Sequence, residues 1–125
     1  NLPSLKRLRS QVENAGYRGR IKAIDGRYLK VRSAHSALNT LLQGAGAIIC
    51  KHWLLRITHR VYNKKLNVKL VASVHDEYQF EVHNKDISEF CSITKIAMKE
   101  TENLLKLRCP LDNDYKVGVT WAETH

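Results

Sequence analysis

The stretch of residues 70–82, LVASVHDEYQFEV, constrains the fold of this chain more than any other segment. Its first part, LVASV, is β-prone and almost continuously apolar. In its last part, YQFEV, apolar and polar side chains alternate strictly, as expected of a strand with one buried face. Two such runs on either side of a short polar interruption predict an antiparallel hairpin with a tight turn.

The residues of this turn point to chemistry. Two-residue hairpin turns prefer Asn-Gly or Asp-Gly, which reach positive φ without strain, whereas this turn offers His75, Asp76 and Glu77. A turn built from residues that its geometry disfavours is a place to look for a functional site. Because neighbouring side chains on a strand diverge, we expect Asp76 to share a metal ion with a carboxylate from elsewhere. Oxygen ligands with retained water favour Mg²⁺.

The charge of the chain indicates a partner. Its 125 residues are typical of one domain, which we expect to cover residues 1–125. The 21 Lys and Arg residues outnumber the 12 Asp and Glu residues, giving a net charge of +9. Such a surplus indicates a polyanionic partner, most often nucleic acid. The alternative is a protein that is basic without any such partner.

The cysteines and the apolar runs indicate in which cellular compartment the protein is expected. Three widely spaced cysteines, Cys50, Cys91 and Cys109, argue against a disulfide framework and against a CxxC metal site, and indicate a reduced, cytoplasmic protein. No apolar run approaches the roughly 18 residues of a membrane span, so we expect no membrane partner. Because the first residue is Asn1, we expect the chain to be part of a longer one.

The first part of the chain predicts a helix followed by a basic hairpin. Residues 1–14 place Leu5, Leu8 and Val12 at helical spacing, and Gly16 is expected to end the helix in the left-handed conformation. Residues 19–32 carry an Asp-Gly pair between two alternating runs, a strong hairpin signal. Five of these residues are Arg or Lys. Phosphate contact and a solvated basic surface both remain open for this hairpin.

A long helix is expected to begin at Ser33 or Ala34 and to continue for nearly 30 residues, as the central packing element. Its apolar face follows the helical repeat and consists of Leu38, Leu41, Leu42, Ala45, Ile48, Ile49, His52, Trp53 and Ile57.

A polar ridge lies on the other side of this helix. His35, Asn39 and Gln43 recur every fourth residue, and residues 44–47, all Gly or Ala, leave room for another backbone. Amide and imidazole side chains suit the acceptors that every base pair presents in the minor groove. The ridge is therefore a candidate for DNA contact without sequence preference; an exposed polar stripe is the alternative.

The last third of the chain predicts a helix and a strand. Asp86 is expected as the N-cap of a helix that runs to about Lys106, with Glu89 completing a capping box. The buried side of this helix is expected to consist of Ile87, Phe90, Thr94, Ala97, Thr101 and Leu104. After a break at Pro110, residues 115–121 are expected to form a final strand, with Val117 and Val119 on one face.

Three segments resemble the C-terminal part of a family A DNA polymerase of the bacteriophage replicative type. They are residues 25–53 (DGRYLKVRSAHSALNTLLQGAGAIICKHW), residues 73–82 (SVHDEYQFEV) and residues 121–125 (WAETH). The resemblance covers nearly the whole chain, with residues 1–18 the least distinctive. VHDE alone would be a weak signal, but three matches in order are specific.

The resemblance implies roles for the turn. Asp76 corresponds to one of the two aspartates that hold the catalytic Mg²⁺ ions, Glu77 to the accessory acid beside it, and His75 to a residue near the primer terminus. His125 resembles the terminal histidine of the family, which implies that the natural C-terminus is present.

The resemblance also implies a DNA-binding surface and partners. His35, Asn39 and Gln43 would lie along the minor groove of the primer-template, and we add Arg32 of the basic hairpin to the DNA-binding residues. The implied partners are primer-template DNA, deoxynucleoside triphosphates and the remainder of the polymerase chain. The implied fold is α+β: a partial palm, with an antiparallel sheet and long helices on one face.

Two parts of the family pattern do not occur among these 125 residues: the first metal-binding aspartate and the fingers helix that grips the nucleotide. We therefore expect template-directed synthesis by a two-metal mechanism only within a larger enzyme, and no activity of this chain alone. Two alternatives are a non-catalytic nucleic-acid-binding module and a His-Asp metal phosphohydrolase. The second needs further histidine and aspartate ligands on helices, a pattern that the other histidines do not repeat.

Overall fold

The structure is a computed structural model that describes residues 3–124. Its elements are α1 (Pro3–Gly16), β1 (Arg20–Lys22), β2 (Tyr28–Lys30), a 3₁₀ turn (Ala34–Ser36), α2 (Ala37–Lys64), β3 (Val68–Val74), β4 (Glu77–Val82), a second 3₁₀ turn (Asn84–Asp86), α3 (Ile87–Leu104) and α4 (Trp121–Thr124). The predicted α+β class is confirmed. The strands described form two separate antiparallel hairpins, β1–β2 and β3–β4.

The chain divides into two compact units, Asn1–Ile49 and Cys50–His125, with the boundary inside α2. The single domain over residues 1–125 stays a prediction. His125 lies outside the described residues, so its predicted role has no structural counterpart here. Within residues 3–124, no helix combines the length and the apolar character needed to cross a membrane.

The first unit has a small core between α1, the β1–β2 hairpin and the start of α2. Its buried residues are Val12, Ile21, Val31 and Ala37, with Ala15, Leu29, Leu38 and Leu41 packed against them. The predicted apolar stripe of α1 is buried only at Val12, because Leu5 and Leu8 are 51% and 39% exposed. The predicted hairpin is confirmed, with Gly26 at φ +88° in its turn.

Gly16 ends α1 in a way that the sequence did not predict. It is not among the described glycines with positive φ. A Cβ added at Gly16 would lie 2.9 Å from Cβ of Ala37 and 3.0 Å from Cα of Ala34. Close approach of the chain after β2, and not a left-handed backbone, therefore requires glycine at this position.

The long helix begins where the sequence predicted. Ser33 is the N-cap of the 3₁₀ turn: its Oγ accepts a 3.3 Å hydrogen bond from the Ser36 backbone N–H, and Ser36 Oγ accepts one of 3.2 Å from the Ser33 N–H. α2 then continues for 28 residues. Its predicted apolar face is buried at Ile48, Trp53 and Ile57 but is wrong at Leu42, which is 58% exposed.

The core of the second unit is formed by α2 and α3, and the residues of the β3–β4 hairpin are at most half-buried. Its buried residues are Trp53, Ile57, Asp86, Phe90, Ile93, Thr94, Ala97, Met98 and Thr101. The predicted face of α3 is confirmed from Phe90 to Thr101, Ile87 on this face is half-buried, and the prediction is wrong at Leu104, which is 47% exposed.

The predicted capping box at the start of α3 is wrong. Asp86 makes no side-chain cap; its Oδ2 accepts a 2.9 Å hydrogen bond from the backbone N–H of Asn67 instead. The chain enters the helix through a 3₁₀ turn, with His83 as the N-cap of that turn. Asp86 therefore ties the start of α3 to the residue that precedes β3.

The predicted last strand is also wrong. Residues 115–121 form no strand in the structure, and the side chains of Val117 and Val119 are 59% and 95% exposed. The backbone N–H of Val119 donates a 2.6 Å hydrogen bond to Oε2 of Glu123, which turns the chain into α4. A strand needs a hydrogen-bonded neighbour, and here a side chain of the next turn takes that place.

Candidate functional site

The acidic turn is a two-residue loop. Val74 pairs with Glu77, so His75 and Asp76 alone connect β3 to β4. His75 has φ +53°, a left-handed conformation in which histidine is one of the enriched non-glycine residues. Both loop side chains are exposed, whereas Glu77, the first residue of β4, is partly buried. The structure thus brings together the three turn residues singled out from sequence.

Aromatic side chains hold the strand behind this loop. The rings of Tyr78 and Trp53 lie 5.6 Å apart, those of Tyr78 and Phe80 6.4 Å, and those of Phe80 and Phe90 4.9 Å. These separations fall in the favourable range for aromatic pairs. The predicted apolar face of β4 is thereby confirmed, because its aromatic residues pack on α2 and α3. A packed strand gives Asp76 a fixed base.

The partner strand carries an irregularity near the loop. Leu70 pairs with Phe80 and Ala72 with Gln79, so Val71 is an extra residue in β3 and is 62% exposed. Such bulges increase strand twist and are frequent beside active sites. The bulge lies between the base of the hairpin and its acidic tip.

Glu77 belongs to a chain of hydrogen bonds that reaches α4. Gln79 Nε2 donates to Oε1 of Glu77, and Gln79 Oε1 accepts a 3.1 Å hydrogen bond from Oγ1 of Thr124. The period-two alternation of β4 already placed Gln79 on the same face as Glu77. Thr124 could not be found from the sequence, because it lies 45 residues away along the chain.

Cys50 of α2 is a further neighbour of the acidic loop that the sequence did not reveal. Burial raises the pKa of the Cys50 thiol, and the negative charge of Asp76 raises it further. Burial also raises the pKa of Tyr78, with a smaller contribution from Cys50. The thiolate and not the thiol binds metal ions, so Cys50 is a poor candidate ligand, and Asp76 is the exposed oxygen donor of the loop.

Oxygen donors of this kind fit magnesium in part. Mg²⁺ is usually bound by one or two carboxylates together with several waters and substrate phosphates, and Asp76 offers an exposed carboxylate of the required type. Within residues 3–124, no group of three or more His, Cys, Asp or Glu side chains is arranged to hold a metal ion. Asp76 would therefore be one ligand of a larger set, since the described residues around it do not form a complete site.

The polar ridge is exposed in the first unit. His35 lies in the 3₁₀ turn and Asn39 and Gln43 in α2, and all three side chains face solvent, as does Arg32 after β2. A Cβ added at Gly46 would meet nothing within 4 Å, so the surface beyond the ridge is open there. Both predictions for this ridge, a DNA contact and a polar stripe without a partner, require exposed side chains.

A comparison with known protein families identifies the family of this chain. The family model for DNA polymerase family A matches residues 6–123, almost the whole chain. The chain belongs to DNA polymerase family A. The resemblance drawn from three sequence segments is thereby confirmed.

Relatives of this family A chain include phage and bacterial enzymes. It is 38% identical over 112 residues to a DNA-directed DNA polymerase of Enterobacteria phage T3, covering 84% of this chain and 16% of the relative. The corresponding polymerase of Escherichia phage T7 is 39% identical with the same coverage. DNA polymerase I of Geobacillus stearothermophilus is 34% identical over 102 residues, 80% of this chain and 11% of the relative.

A solved polymerase structure shares the fold of this family A chain. The POL domain of Pol1 from M. smegmatis, in complex with DNA primer-template and dNTP, aligns with a TM-score of 0.70 and 21% identity, covering 77% of this chain and 19% of that one. The chain spans about a sixth of the length of the T3 and T7 polymerases. The individual roles of the turn and ridge residues stay predictions.

Proposed function

We propose that this chain is the C-terminal, acid-carrying part of a DNA-directed DNA polymerase, and that it takes part in template-directed nucleotidyl transfer. The observation that carries the proposal is the exposed Asp76 at the tip of a two-residue hairpin loop, backed by packed aromatic residues, in a chain of this family. A carboxylate on such a tip projects toward a substrate while its own backbone stays fixed.

In this reaction the primer 3′-hydroxyl attacks the α-phosphorus of a deoxynucleoside triphosphate, and pyrophosphate leaves. Asp76 would hold Mg²⁺ together with a carboxylate from the remainder of a longer polymerase chain. Two magnesium ions, when bound, would supply charge stabilisation to the attacking and leaving oxygens. Glu77 acts as the accessory acid beside Asp76, oriented by Gln79. His75, exposed on the same loop, lies beside the primer terminus.

The first unit supplies the contact to the primer-template. Residues 1–49 hold nine Lys or Arg and two Asp or Glu, whereas residues 50–125 hold twelve and ten, so most of the surplus positive charge belongs to the first unit. Arg32 contacts phosphate, and His35, Asn39 and Gln43 donate to minor-groove acceptors common to all base pairs. Binding of this kind weakens as salt rises, because phosphates recover their counterions.

The proposal includes inactivity of the isolated chain. The family's first metal-binding aspartate and its nucleotide-gripping helix are not among the 125 residues. A primer-extension assay with the purified chain and Mg²⁺ is expected to give no product. Nucleotide incorporation by the isolated chain would contradict this part of the proposal.

A chimera tests the role of the acidic loop. This chain replaces the segment that it matches in the phage T7 relative, and primer extension is measured for the chimera and for its Asp76→Asn and Glu81→Gln variants. Loss of a metal-binding carboxylate is expected to reduce the rate by more than about a hundredfold. Glu81 is an exposed acid on β4, the strand that follows the loop, and its carboxylate lies 3.6 Å from Nζ of Lys69. Its substitution is expected to leave the rate unchanged.

The outcome separates an enzyme from a binding module. Equal rates for the chimera and its Asp76→Asn variant would refute the metal-binding role. Salt-dependent binding of primer-template that persists in both variants, without metal-dependent synthesis in either, would favour the non-catalytic nucleic-acid-binding module.

A further inference from the structure

The β1–β2 hairpin has one apolar face and one cationic face. The pairs Arg20–Lys30 and Lys22–Tyr28 lie on one side of the hairpin, because directly opposite residues share a face and every second residue returns to it. The central pair, Ile21 and Leu29, lies on the other side and packs into the core of the first unit. All four residues of the first face are exposed.

Tyr28 is the single aromatic residue on this cationic face. The guanidinium carbon of Arg20 lies 5.0 Å from the centroid of the Tyr28 ring, a cation–π distance. The Tyr28 side chain nevertheless remains 64% exposed. Arg20 therefore restrains a ring that is still open to a flat partner from solvent.

The cations around Tyr28 have no acidic partner in their own unit. Its two acids are both paired with other residues: Glu13 with Arg9 at 2.9 Å and Asp25 with Arg27 at 2.6 Å. Among the described residues of the unit, no carboxylate forms an ion pair with Arg20, Lys22 or Lys30. Three uncompensated positive charges around an exposed ring favour a ligand that combines negative charges with flat apolar groups.

We propose that this face, the Tyr28 platform of Arg20, Lys22, Tyr28 and Lys30, binds an unpaired nucleic acid strand. Tyr28 stacks on a base, and the three cations contact the flanking phosphates. The proposal deepens the proposed function, since a polymerase template includes an unpaired strand.

The exposed ring distinguishes a single strand from a duplex. In a duplex the bases are stacked on each other, so an aromatic side chain on the surface has no base face to contact. In an unpaired strand each base offers a face, and an aromatic residue stacks on any of them with little sequence preference. A cationic face without an aromatic residue would contact phosphates of both forms alike.

Binding of the full 125-residue chain to two labelled probes tests this inference. The probes are a thymidine oligonucleotide of about 12 nucleotides and a duplex of equal length, and fluorescence anisotropy gives both dissociation constants at several salt concentrations. Tyr28→Ala is expected to weaken binding of the single strand about tenfold and binding of the duplex less than about twofold. Tyr28→Phe, which keeps the ring, is expected to retain the affinity.

Charge and stacking give different salt responses. Lys22→Gln is expected to reduce the slope of log K against log salt by about 0.7 for the single strand, one phosphate contact, whereas Tyr28→Ala leaves that slope unchanged. Tyr62→Ala removes another exposed tyrosine, 81% exposed on α2, and is the matched control with no expected effect. Tyr28→Leu keeps an apolar side chain on the strand, so it separates loss of stacking from disturbance of the hairpin.

The inference fails on either of two results. One is an unchanged single-strand affinity in both the Ala and the Leu variants of Tyr28, and the other is an equal loss for single strand and duplex. These affinities are measured without metal ions and without synthesis. A failed chimera with an intact Tyr28 effect would therefore refute the polymerase role without refuting the platform.

Discussion

Thr124 donates a hydrogen bond from Oγ1 to Oε1 of Gln79 over 3.1 Å, and Gln79 in turn donates from Nε2 to the carboxylate of Glu77. The orientation of the Gln79 amide follows from chemistry, because an ionised carboxylate only accepts hydrogen bonds. The amide nitrogen must face Glu77, which leaves the amide oxygen for the Thr124 hydroxyl. One side chain thus connects α4 to the acidic end of the β3–β4 hairpin.

We expect Gln79 and Thr124 to be energetically coupled. Gln79→Leu is expected to lower the free energy of unfolding by about 1 kcal/mol, since it removes two partly exposed hydrogen bonds, and Thr124→Val by about 0.5 kcal/mol, since it removes one of them. The double variant is expected to lose less than the sum, with a coupling of about 0.5 kcal/mol. Urea denaturation of the four proteins gives these values.

Thr58→Val provides the control for this cycle. Thr58 Oγ1 donates only to the Leu54 carbonyl within α2, at 2.9 Å, so its effect is expected to add to that of Gln79→Leu without coupling. If Thr124 and Gln79 also proved additive, the connection between α4 and the hairpin would contribute nothing measurable to stability.

Trp53 is expected to be the most sensitive position of the second unit. It is 9% exposed, packs against the tilted ring of Tyr78, and donates a 2.9 Å hydrogen bond from Nε1 to the carbonyl of Thr94. Trp53→Ala is expected to cost about 3–5 kcal/mol and Trp53→Phe about 1–2 kcal/mol, measured by circular dichroism during urea unfolding. Tyr62→Ala, on the exposed side of the same helix, is expected to change stability by less than about 0.5 kcal/mol.

The ion pair of Glu100 predicts a pH dependence. Arg60 donates to both carboxylate oxygens, and Arg56 lies 3.8 Å away. The hydrogen bonds from Arg60 and the charges of both arginines hold the pKa of Glu100 below its ordinary value of 4.5. A carboxyl group with a lowered pKa in the folded state stabilises the fold above its unfolded pKa, and this stabilisation is lost as pH falls through the folded pKa.

Glu100→Gln is therefore expected to lower stability at pH 7 and to have no effect in strong acid. The loss at pH 7 is expected to be about 1 kcal/mol or less, because the side chains of Glu100 and Arg60 are still 34% and 30% exposed. Glu81→Gln, whose pair with Lys69 is about 70% exposed on both sides, is the control with no measurable change. A Glu100→Gln loss that persisted below pH 3 would require another cause than the ion pair.

The correct sequence predictions depended on the periodicity of apolar residues. The wrong ones depended on which hydrogen-bond partner a residue finds elsewhere in the chain. The alternation of β4 and the helical repeat of α3 identified Tyr78, Phe80 and Phe90 as inward-facing, because those patterns are set by backbone geometry alone. Asp86 is the N-cap residue of α3, as predicted, but its carboxylate accepts a hydrogen bond from an N–H 19 residues earlier and does not cap the helix. The valines of residues 115–121 have the right alternation, but no strand within residues 3–124 pairs with them. Long-range partners of this kind are not encoded in local spacing.

Two glycines predict opposite effects of the same substitution. Gly16→Ala is expected to destabilise the chain by about 1–3 kcal/mol, because the new methyl group would meet Cβ of Ala37 at 2.9 Å and the Ala34 backbone at 3.0 Å, neither of which is a flexible side-chain end. Gly46→Ala, inside α2 with nothing within 4 Å of the added Cβ, is expected to stabilise by about 0.5–1 kcal/mol, since alanine loses less conformational entropy in a helix. Urea midpoints of the two variants measure both effects.

If the surface beside Gly46 also receives a DNA backbone, Gly46→Ala is expected to weaken duplex binding although it raises stability. Stabilisation with unchanged duplex affinity would show that DNA does not approach α2 at this glycine.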